Sequence, residues 1–173
     1  MVVVTGNAYK FQQIQDFFPE SIQRDIDLPE IQSLDSEEIV TVKLNEAGKY
    51  LEGNILVDDT ALHIEGLHGL PGPLIKWFLA TVDRHGIADM AQQSGNVRAE
   101  AVATLGYRSD HGETIIVHGR QTGSIVSPRG QEQGWNPIFL PDGFEKTYGE
   151  MSLEEHYLCN MRVYALQQLA QYI

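Results

Sequence analysis

Two neighbouring aspartates, Asp58 and Asp59, are the residues whose placement points most directly to chemistry. They follow a short apolar run, residues 55–57, which predicts a buried strand that ends at this point. Adjacent carboxylates repel each other and lose hydration when they are buried, so a positive group is expected between them. Their oxygens are hard ligands of the kind that Mg²⁺ prefers. The alternative for Asp59 and Thr60 is a simple turn, where aspartate is common.

A second candidate site lies at the first strand-to-helix turn. Thr5, Gly6 and Asn7 follow a β-branched run, and apolar periodicity then predicts a helix over residues 9–18. The backbone N–H groups and the dipole at a helix start favour an anion, and Lys10 is close enough in sequence to reach a phosphate there. The stretch is not a Walker loop, and an ordinary turn with a surface lysine is the alternative.

Glu30 and Lys43 extend this set of charged candidates. Glu30 follows a loop fixed by Pro29 and is a further candidate metal ligand, although a solvated surface carboxylate is the simpler interpretation. Lys43 projects from a mostly apolar helix predicted over residues 37–51, where a lone lysine usually faces solvent. The residues of this helix expected to face the core are Ile39, Val42, Ala47 and Tyr50.

Composition limits the partners and the compartment. The formal net charge is -12 and the 12 Lys and Arg residues form no cluster, which argues against a nucleic-acid partner. No apolar run approaches the roughly 20 residues of a membrane span, so no membrane partner is expected. Cys159 is the only cysteine, so no internal disulfide can form, which fits a reducing cytoplasm.

Helical and strand patterns interleave along the chain and predict one α/β domain on a mixed sheet, residues 1–173. A capping box, Ser152 with Glu155, marks the start of the last helix. The remaining predicted elements are strands at 97–107, 114–120 and 124–126, helices at 74–84 and from 152 to about 172, and Gly/Pro-rich loops at 66–73 and 127–141.

Taken together, the motifs resemble the inosine triphosphate pyrophosphatase family, also called Ham1-like, over nearly the whole chain. They occur in this order: Thr5-Gly6-Asn7 with Lys10, Asp-Leu-Pro-Glu at 27–30, Asp-Asp-Thr at 58–60, Gly-Leu-Pro-Gly-Pro at 69–73 with Lys76-Trp77-Phe78, Pro-Arg-Gly at 128–130, and Gly134-Trp135 with Pro137. The resemblance implies an elongated mixed sheet flanked by helices, with the active site in a cleft between two lobes. It also implies a homodimer that hydrolyses nucleoside triphosphates to monophosphates and pyrophosphate with Mg²⁺ or Mn²⁺.

The resemblance also assigns roles to individual residues. Asp59, Lys10 and Lys43 are the expected catalytic residues, with Asp59 orienting the attacking water, and Glu30 and Asp59 are the expected metal ligands. The residues expected to bind the phosphates are Thr5, Gly6, Asn7, Lys10, Lys43, Thr60 and Lys76. Those expected at the base end are Gly134, Trp135, Asn136, His156, Met161 and Arg162.

The sequence departs from the family mainly at the base end. Relative to the family pattern, the changed positions are Gln13, Gln133, Asn136, His156, Asn160 and Met161. Met161 cannot donate a hydrogen bond to a keto oxygen, so inosine triphosphate is not expected to be the best substrate. The alternatives are neutral change in a site of broad specificity, and a nucleotide-binding sensor with little turnover. The carboxylate pair favours the enzyme, because a pure binder does not need it.

Overall fold

The elements of the computed structural model, which describes residues 1–173, alternate between strands and helices. The strands are β1 (Val2–Val4), β2 (Ile22–Arg24), β3 (Ile55–Ile64), β4 (Pro71–Gly72), β5 (Arg98–Arg108), β6 (Thr114–Ile125) and β7 (Phe139–Pro141). The helices are α1 (Ala8–Phe17), α2 (Ser36–Ala47), α3 (Ile75–Thr81), α4 (Asp83–Gln93), α5 (Leu153–Leu158) and α6 (Met161–Leu169). Short 3₁₀ turns cover Glu65–Leu67 and Asn136–Ile138.

All seven strands belong to one mixed sheet. Its order is β2-β1-β3-β5-β6-β7, and β4 pairs with β3 outside that path. The first strand, β1, runs parallel to both β2 and β3, whereas the β3–β4 and β6–β7 pairs are antiparallel. The predicted α/β class with a mixed sheet and flanking helices is therefore confirmed.

Contacts divide the chain into two compact units. The first unit comprises residues 1–59, 103–119 and 162–173, and the second comprises 60–102 and 120–161. In the first unit, α2 packs its buried face, Val40, Leu44 and Ala47, against the apolar ends of β1 and β3. The second unit has its own buried side chains, among them Ile87 on α4 and Phe139 on β7. That the two units fold as one domain stays a prediction.

The strand that carries the two aspartates is longer than predicted. It continues past Val57 to Ile64, so Asp58 and Asp59 lie inside β3 rather than after its end. The alternative of a simple turn at Asp59 and Thr60 is therefore wrong. The sequence predicts the strand end at Asp58 because the cations that neutralise this residue, Lys10 and Arg162, are distant in sequence.

Helix boundaries differ from the sequence prediction at three places. Helix α2 ends at Ala47, and Tyr50 beyond it is 67% exposed instead of facing the core. A separate helix, α4, follows α3 and had no prediction. The predicted C-terminal helix is broken at Cys159 and Asn160 into α5 and α6. The predicted capping box of Ser152 and Glu155 is present at the start of α5.

Two further strand predictions changed. The predicted strands at 114–120 and 124–126 form one continuous strand, β6. The short strands β2, β4 and β7 were not predicted, and β4 and β7 lie within the predicted loops. None of the helices has the length and apolar character needed to cross a membrane.

Candidate active site

Parallel pairing of β1 with β3 brings the first two candidate sites close together. Val4 pairs with Val57, so the turn that begins at Thr5 is level with Asp58. β1 ends at Val4 whereas β3 continues to Ile64, so the turn that follows β1 lies beside the middle of β3. The strand register, rather than any local motif, therefore places Lys10 within reach of Asp58.

Asn7 builds the turn between β1 and α1. Its side-chain Oδ1 accepts hydrogen bonds from the backbone N–H groups of Tyr9 (3.0 Å) and Lys10 (3.2 Å), so Asn7 caps the helix. Its own N–H donates to Thr5 Oγ1 at 3.1 Å. Gly6 leaves room for a neighbouring loop, since a Cβ there would lie 2.7 Å from an Asp25 carboxylate oxygen. The turn is thus a rigid, capped helix start with an exposed edge.

Asp58 lies at the centre of a buried charge network. Arg162 donates from Nε to Asp58 Oδ2 at 2.7 Å, and Lys10 donates from Nζ to Asp58 Oδ1. Arg162 also donates from Nη1 to Gln13 Oε1 at 2.5 Å. Burial alone would raise the pKa of Asp58, but Arg162 and Lys10 outweigh it and hold that pKa well below its usual range. Asp58 is therefore an ionised structural anchor for two cations.

Lys43 links the two other candidate carboxylates, Glu30 and Asp59. Its Nζ lies 3.3 Å from Glu30 Oε1 and 3.4 Å from Asp59 Oδ1. Asp35 caps α2 through its side chain, which fixes the start of the helix that carries Lys43. Burial would lower the pKa of Lys43, but Asp59 and Glu30 outweigh it and raise that pKa. Lys43 is therefore a charged ammonium group that two carboxylates share.

Asp59 has fewer hydrogen-bond partners for its carboxylate oxygens than Asp58 has. Its Oδ2 is buried and has no hydrogen-bond partner. Burial raises the pKa of Asp59 more than Lys43 and Lys10 lower it, and the neighbouring Asp58 raises it further. A buried carboxylate oxygen without a partner costs free energy unless a ligand completes it. This oxygen is the most direct sign of a missing ligand in the first unit.

The donor set around Asp59 fits a hard divalent cation. Mg²⁺ commonly binds to one or two protein carboxylates and takes its other ligands from substrate phosphates and water. Glu30 and Asp59 supply two such carboxylates, and the orphaned Oδ2 belongs to one of them. No group of three or more His, Cys, Asp and Glu side chains is arranged to hold a metal by itself. A metal at this place would therefore depend on oxygens from outside the protein.

Asp58 and Asp59 do not share a partner in the way the sequence predicted. Successive side chains of a strand point to opposite faces, so adjacent aspartates are directed apart. Arg162 and Lys10 contact Asp58, whereas Lys43 contacts Asp59. The positive groups expected beside Asp58 are therefore the side chains of Arg162 and Lys10, and a metal at Asp59 stays a prediction.

The second unit contains most of the residues predicted at the base end, and several are buried. Trp135 packs against Phe139 and Tyr148, with ring centroids 5.6 Å and 6.0 Å apart. His156 lies 4.4 Å from the Tyr148 ring between centroids, and its Nδ1 is 2.8 Å from Asn160 Nδ2. His156, Asn160 and Met161 are each at most 4% exposed.

The other predicted residues of the second unit lie in varied settings. Gly134 is exposed and has a φ of 54°, a left-handed conformation that favours glycine, and Gln133 beside it is also exposed. Asn136 begins a 3₁₀ turn and accepts a backbone hydrogen bond from Gly149 at 3.0 Å. Thr60 is half-buried in β3, and Lys76 is exposed in the first turn of α3.

The roles of two residues of the buried network differ from the sequence prediction. The sequence predicts Asp58 as a metal ligand and gives Gln13 no role beyond its departure from the family pattern. Gln13 is 2% exposed and lies three residues after Lys10, so both project from one face of α1. That spacing was a usable signal for Gln13. The pairing of Asp58 with Arg162 spans 104 residues and had no local signal.

Comparison with known proteins places this geometry in a family. The model of the Ham1 family matches residues 1–172. An inosine triphosphate pyrophosphatase of Schizosaccharomyces pombe is 36% identical over 178 positions, which cover 100% of this chain and 94% of the relative.

Solved structures agree with this assignment. A HAM1 protein from Coxiella burnetii matches with a TM-score of 0.81 at 22% identity, over 98% of this chain and 96% of that chain. A nucleoside-triphosphatase / dITP/XTP pyrophosphatase from Mycobacterium abscessus matches with a TM-score of 0.69 at 26% identity, over 98% of both chains. The match to the Coxiella burnetii structure supports the fold. The family model and the Schizosaccharomyces pombe relative show that the sequence is related to the family. The chain belongs to the Ham1 family.

Proposed function

We propose that this protein hydrolyses a nucleoside triphosphate to the monophosphate and pyrophosphate, using Mg²⁺ or Mn²⁺. The observation that carries the proposal is the Glu30–Lys43–Asp59 group, with its orphaned carboxylate oxygen, on the same unit as the capped turn that presents Lys10. The names of the Schizosaccharomyces pombe and Mycobacterium abscessus relatives support this reaction class. Two cationic side chains and two carboxylates suit an anionic substrate that arrives with its own metal.

Each charged residue has a proposed role in this reaction. Glu30 and Asp59 would hold the metal, which would offset the negative charge on the triphosphate oxygens, including those of the attacked phosphoryl group. Asp59 is also proposed to orient the attacking water, because a carboxylate oxygen can accept a hydrogen bond from it. Lys10 and Lys43 neutralise phosphate oxygens, and the turn of Thr5, Gly6 and Asn7 binds them through backbone N–H groups.

The remaining contacts extend from these residues to the ends of the substrate. Lys76 and Thr60 contact the phosphates, and Lys76 adds a further positive charge. Arg162 is proposed to lie near the base. Its contacts with Asp58 and Gln13 fix its side chain. The residues proposed to line the base are Gly134, Trp135, Asn136, His156 and Met161.

The base preference is the part of the activity proposed to differ from the family. His156 Nδ1 lies 2.8 Å from Asn160 Nδ2, so one ring nitrogen is engaged by a neighbouring side chain. This histidine and the apolar Met161 replace two polar residues of the family pattern. Inosine triphosphate is then not the best substrate, and a nucleotide with a bulkier or modified base is turned over faster.

The test is product analysis across a panel of nucleoside triphosphates with Mg²⁺. Release of pyrophosphate together with the monophosphate supports the proposed reaction, whereas release of orthophosphate contradicts it. Nucleotide binding without turnover on every substrate would instead indicate a sensor on the same fold. For the base, Met161→His with His156→Lys is expected to raise activity on inosine triphosphate. If inosine and xanthosine triphosphates already lead by about a hundredfold or more, the altered-preference proposal is wrong.

The assembly and the compartment are also proposals. The protein is proposed to be a homodimer, and exposed apolar side chains such as Leu70 and Trp77 of the second unit offer surface for a contact. A cytoplasmic location is proposed from the single cysteine, Cys159, which is free and buried.

A further inference from the structure

Lys43 occupies the space between the two carboxylates that are proposed to bind the metal. Its Nζ is 3.3 Å from Glu30 Oε1 and 3.4 Å from Asp59 Oδ1, and its side chain is only 14% exposed. Charge-assisted hydrogen bonds between an ammonium group and a carboxylate are usually about 2.7–2.9 Å long. Lys43 therefore offsets the charge of both carboxylates without making a short bond to either.

This arrangement leaves one carboxylate oxygen of Asp59 available for a stronger cation. Asp59 Oδ2 is buried without a hydrogen-bond partner even though Lys43 contacts the other oxygen of the same carboxylate. A divalent ion on Glu30 and Asp59 would stand a few ångströms from Nζ, where the like charges repel each other strongly. Lys43 and the metal thus compete for the same two groups.

We propose that Lys43 is a built-in counter-cation, which neutralises the metal site in the nucleotide-free protein and moves to the phosphates when metal and nucleotide bind together. The proposal rests on the proposed function, since it takes Glu30 and Asp59 as the metal ligands. The triphosphate gives Lys43 a new anionic partner, which removes the repulsion between Nζ and the metal. Metal and nucleotide then strengthen each other's binding, and this coupling is reciprocal.

A purely structural role for Lys43 predicts a different outcome. If Lys43 only holds Glu30 and Asp59 in position, its removal lets the two carboxylates separate and weakens metal binding. If Lys43 competes with the metal, its removal strengthens metal binding in the absence of nucleotide. The sign of the change in metal affinity therefore distinguishes the two roles, and no turnover has to be measured.

The experiment titrates Mn²⁺ alone into nucleotide-free protein and measures the free ion by electron paramagnetic resonance. Lys43→Met is expected to bind Mn²⁺ about tenfold more tightly than the wild type, since one positive charge beside a divalent ion has been removed. Lys49→Met is the control, because Lys49 is exposed just beyond the same helix and its removal changes the net charge equally. This control is expected to change the affinity less than about twofold.

Two results separate the inference from the proposed function. In the first result, folded Lys43→Met binds Mn²⁺ no more tightly than the wild type, and the single variant Asp59→Asn does not bind it. This result overturns the inference and leaves the metal site in place. Mn²⁺ binding that survives Asp59→Asn in both backgrounds overturns the metal assignment itself and the inference with it. Circular dichroism establishes folding, and Lys43→Gln replaces Lys43→Met with the same expectation if the methionine variant does not fold.

Discussion

At the scale of single residues, the two adjacent aspartates have opposite electrostatic environments. Both are largely buried, yet the pKa of Asp58 is lowered and that of Asp59 is raised. The difference arises from their partners, since Arg162 and Lys10 bond directly to Asp58, whereas Lys43 is 3.4 Å from Asp59 and shared with Glu30. One aspartate is therefore committed to the fold, and the other is available for a ligand.

Asp58→Asn is expected to destabilise the protein strongly. The substitution leaves Arg162 buried without its carboxylate, and breaking a buried ion pair typically costs about 3–5 kcal/mol in the free energy of unfolding. Urea unfolding at neutral pH measures the loss. Asp142→Asn is the control, because its pair with Arg98 is solvent-exposed and is expected to contribute about 1 kcal/mol or less.

The loss caused by Asp58→Asn is expected to depend on pH. A carboxylate whose pKa is lowered by folding stabilises the protein above its ordinary pKa of about 4, and this stability is lost as the pH falls through the folded-state pKa. The difference between wild type and variant is therefore full at pH 7 and shrinks below about pH 4. A difference that grows on acidification would contradict the account of Asp58.

Lys10→Ala is expected to slow hydrolysis mainly through kcat. A cation that meets growing phosphate charge acts in the transition state, and removal of one such group commonly costs about a hundredfold or more. Steady-state kinetics of pyrophosphate release separate kcat from KM. Lys49→Ala, which removes an exposed lysine of the first unit, is expected to change neither. If Lys10→Ala changes neither rate nor affinity, the turn at Thr5–Lys10 is only structural.

At the scale of elements, local signals predicted the starts of elements better than their ends. The strand β1, the helix α1 and the capping box of α5 followed from β-branched runs, apolar periodicity and side-chain caps. The end of β3 could not be predicted, because Asp58 and Asp59 are tolerable inside a buried strand only with cations from distant segments. Arg162 supplies one of these cations from 104 residues away, and only the tertiary fold creates that contact.

The candidate site was predictable in part for the same reason. Lys10, Lys43, Glu30 and Asp59 were named from motifs that resemble a family, and the structure brings Lys43 to both carboxylates. The pairing of Asp58 with Arg162 was not predictable, since it joins residues 104 positions apart and depends on how far the strand continues past Val57.

The helix caps provide a prediction at this scale. Asn7→Ala and Ser152→Ala each remove a side-chain acceptor at a helix start, which is expected to cost about 1 kcal/mol of stability. Only Asn7 lies in the turn proposed to bind phosphate, so only Asn7→Ala is expected also to slow turnover. Thermal unfolding and kinetics on both variants test this. Equal kinetic effects from the two substitutions would contradict the role of the turn.

At the scale of the whole molecule, the protein is strongly acidic, but several of its few cationic side chains lie together at the candidate site. The chain has a formal net charge of -12 and only 12 Lys and Arg residues, yet Lys10, Lys43 and Arg162 lie within one unit and contact its carboxylates. An acidic surface repels anions in general, so local cations and a metal are needed to admit a triphosphate.

The protein is expected to be a homodimer in solution. The expectation comes from the family, and the exposed Leu70 and Trp77 are candidate contact residues of the second unit. Light scattering at micromolar concentration is expected to give twice the mass of 19.4 kDa. A monomeric mass under these conditions would refute it.

Pyrophosphate release by the Asp59→Asn variant is the most direct test of the account. The asparagine keeps the shape of the side chain but removes the charge proposed to hold the metal and orient the water. Pyrophosphate release is expected to fall about a hundredfold or more. The free energy of unfolding of the metal-free protein is expected to stay the same or rise at pH 7, because burial raises the pKa of Asp59 and its ionised form is unfavourable in the fold. Wild-type rates of pyrophosphate release from a folded Asp59→Asn variant would contradict the account.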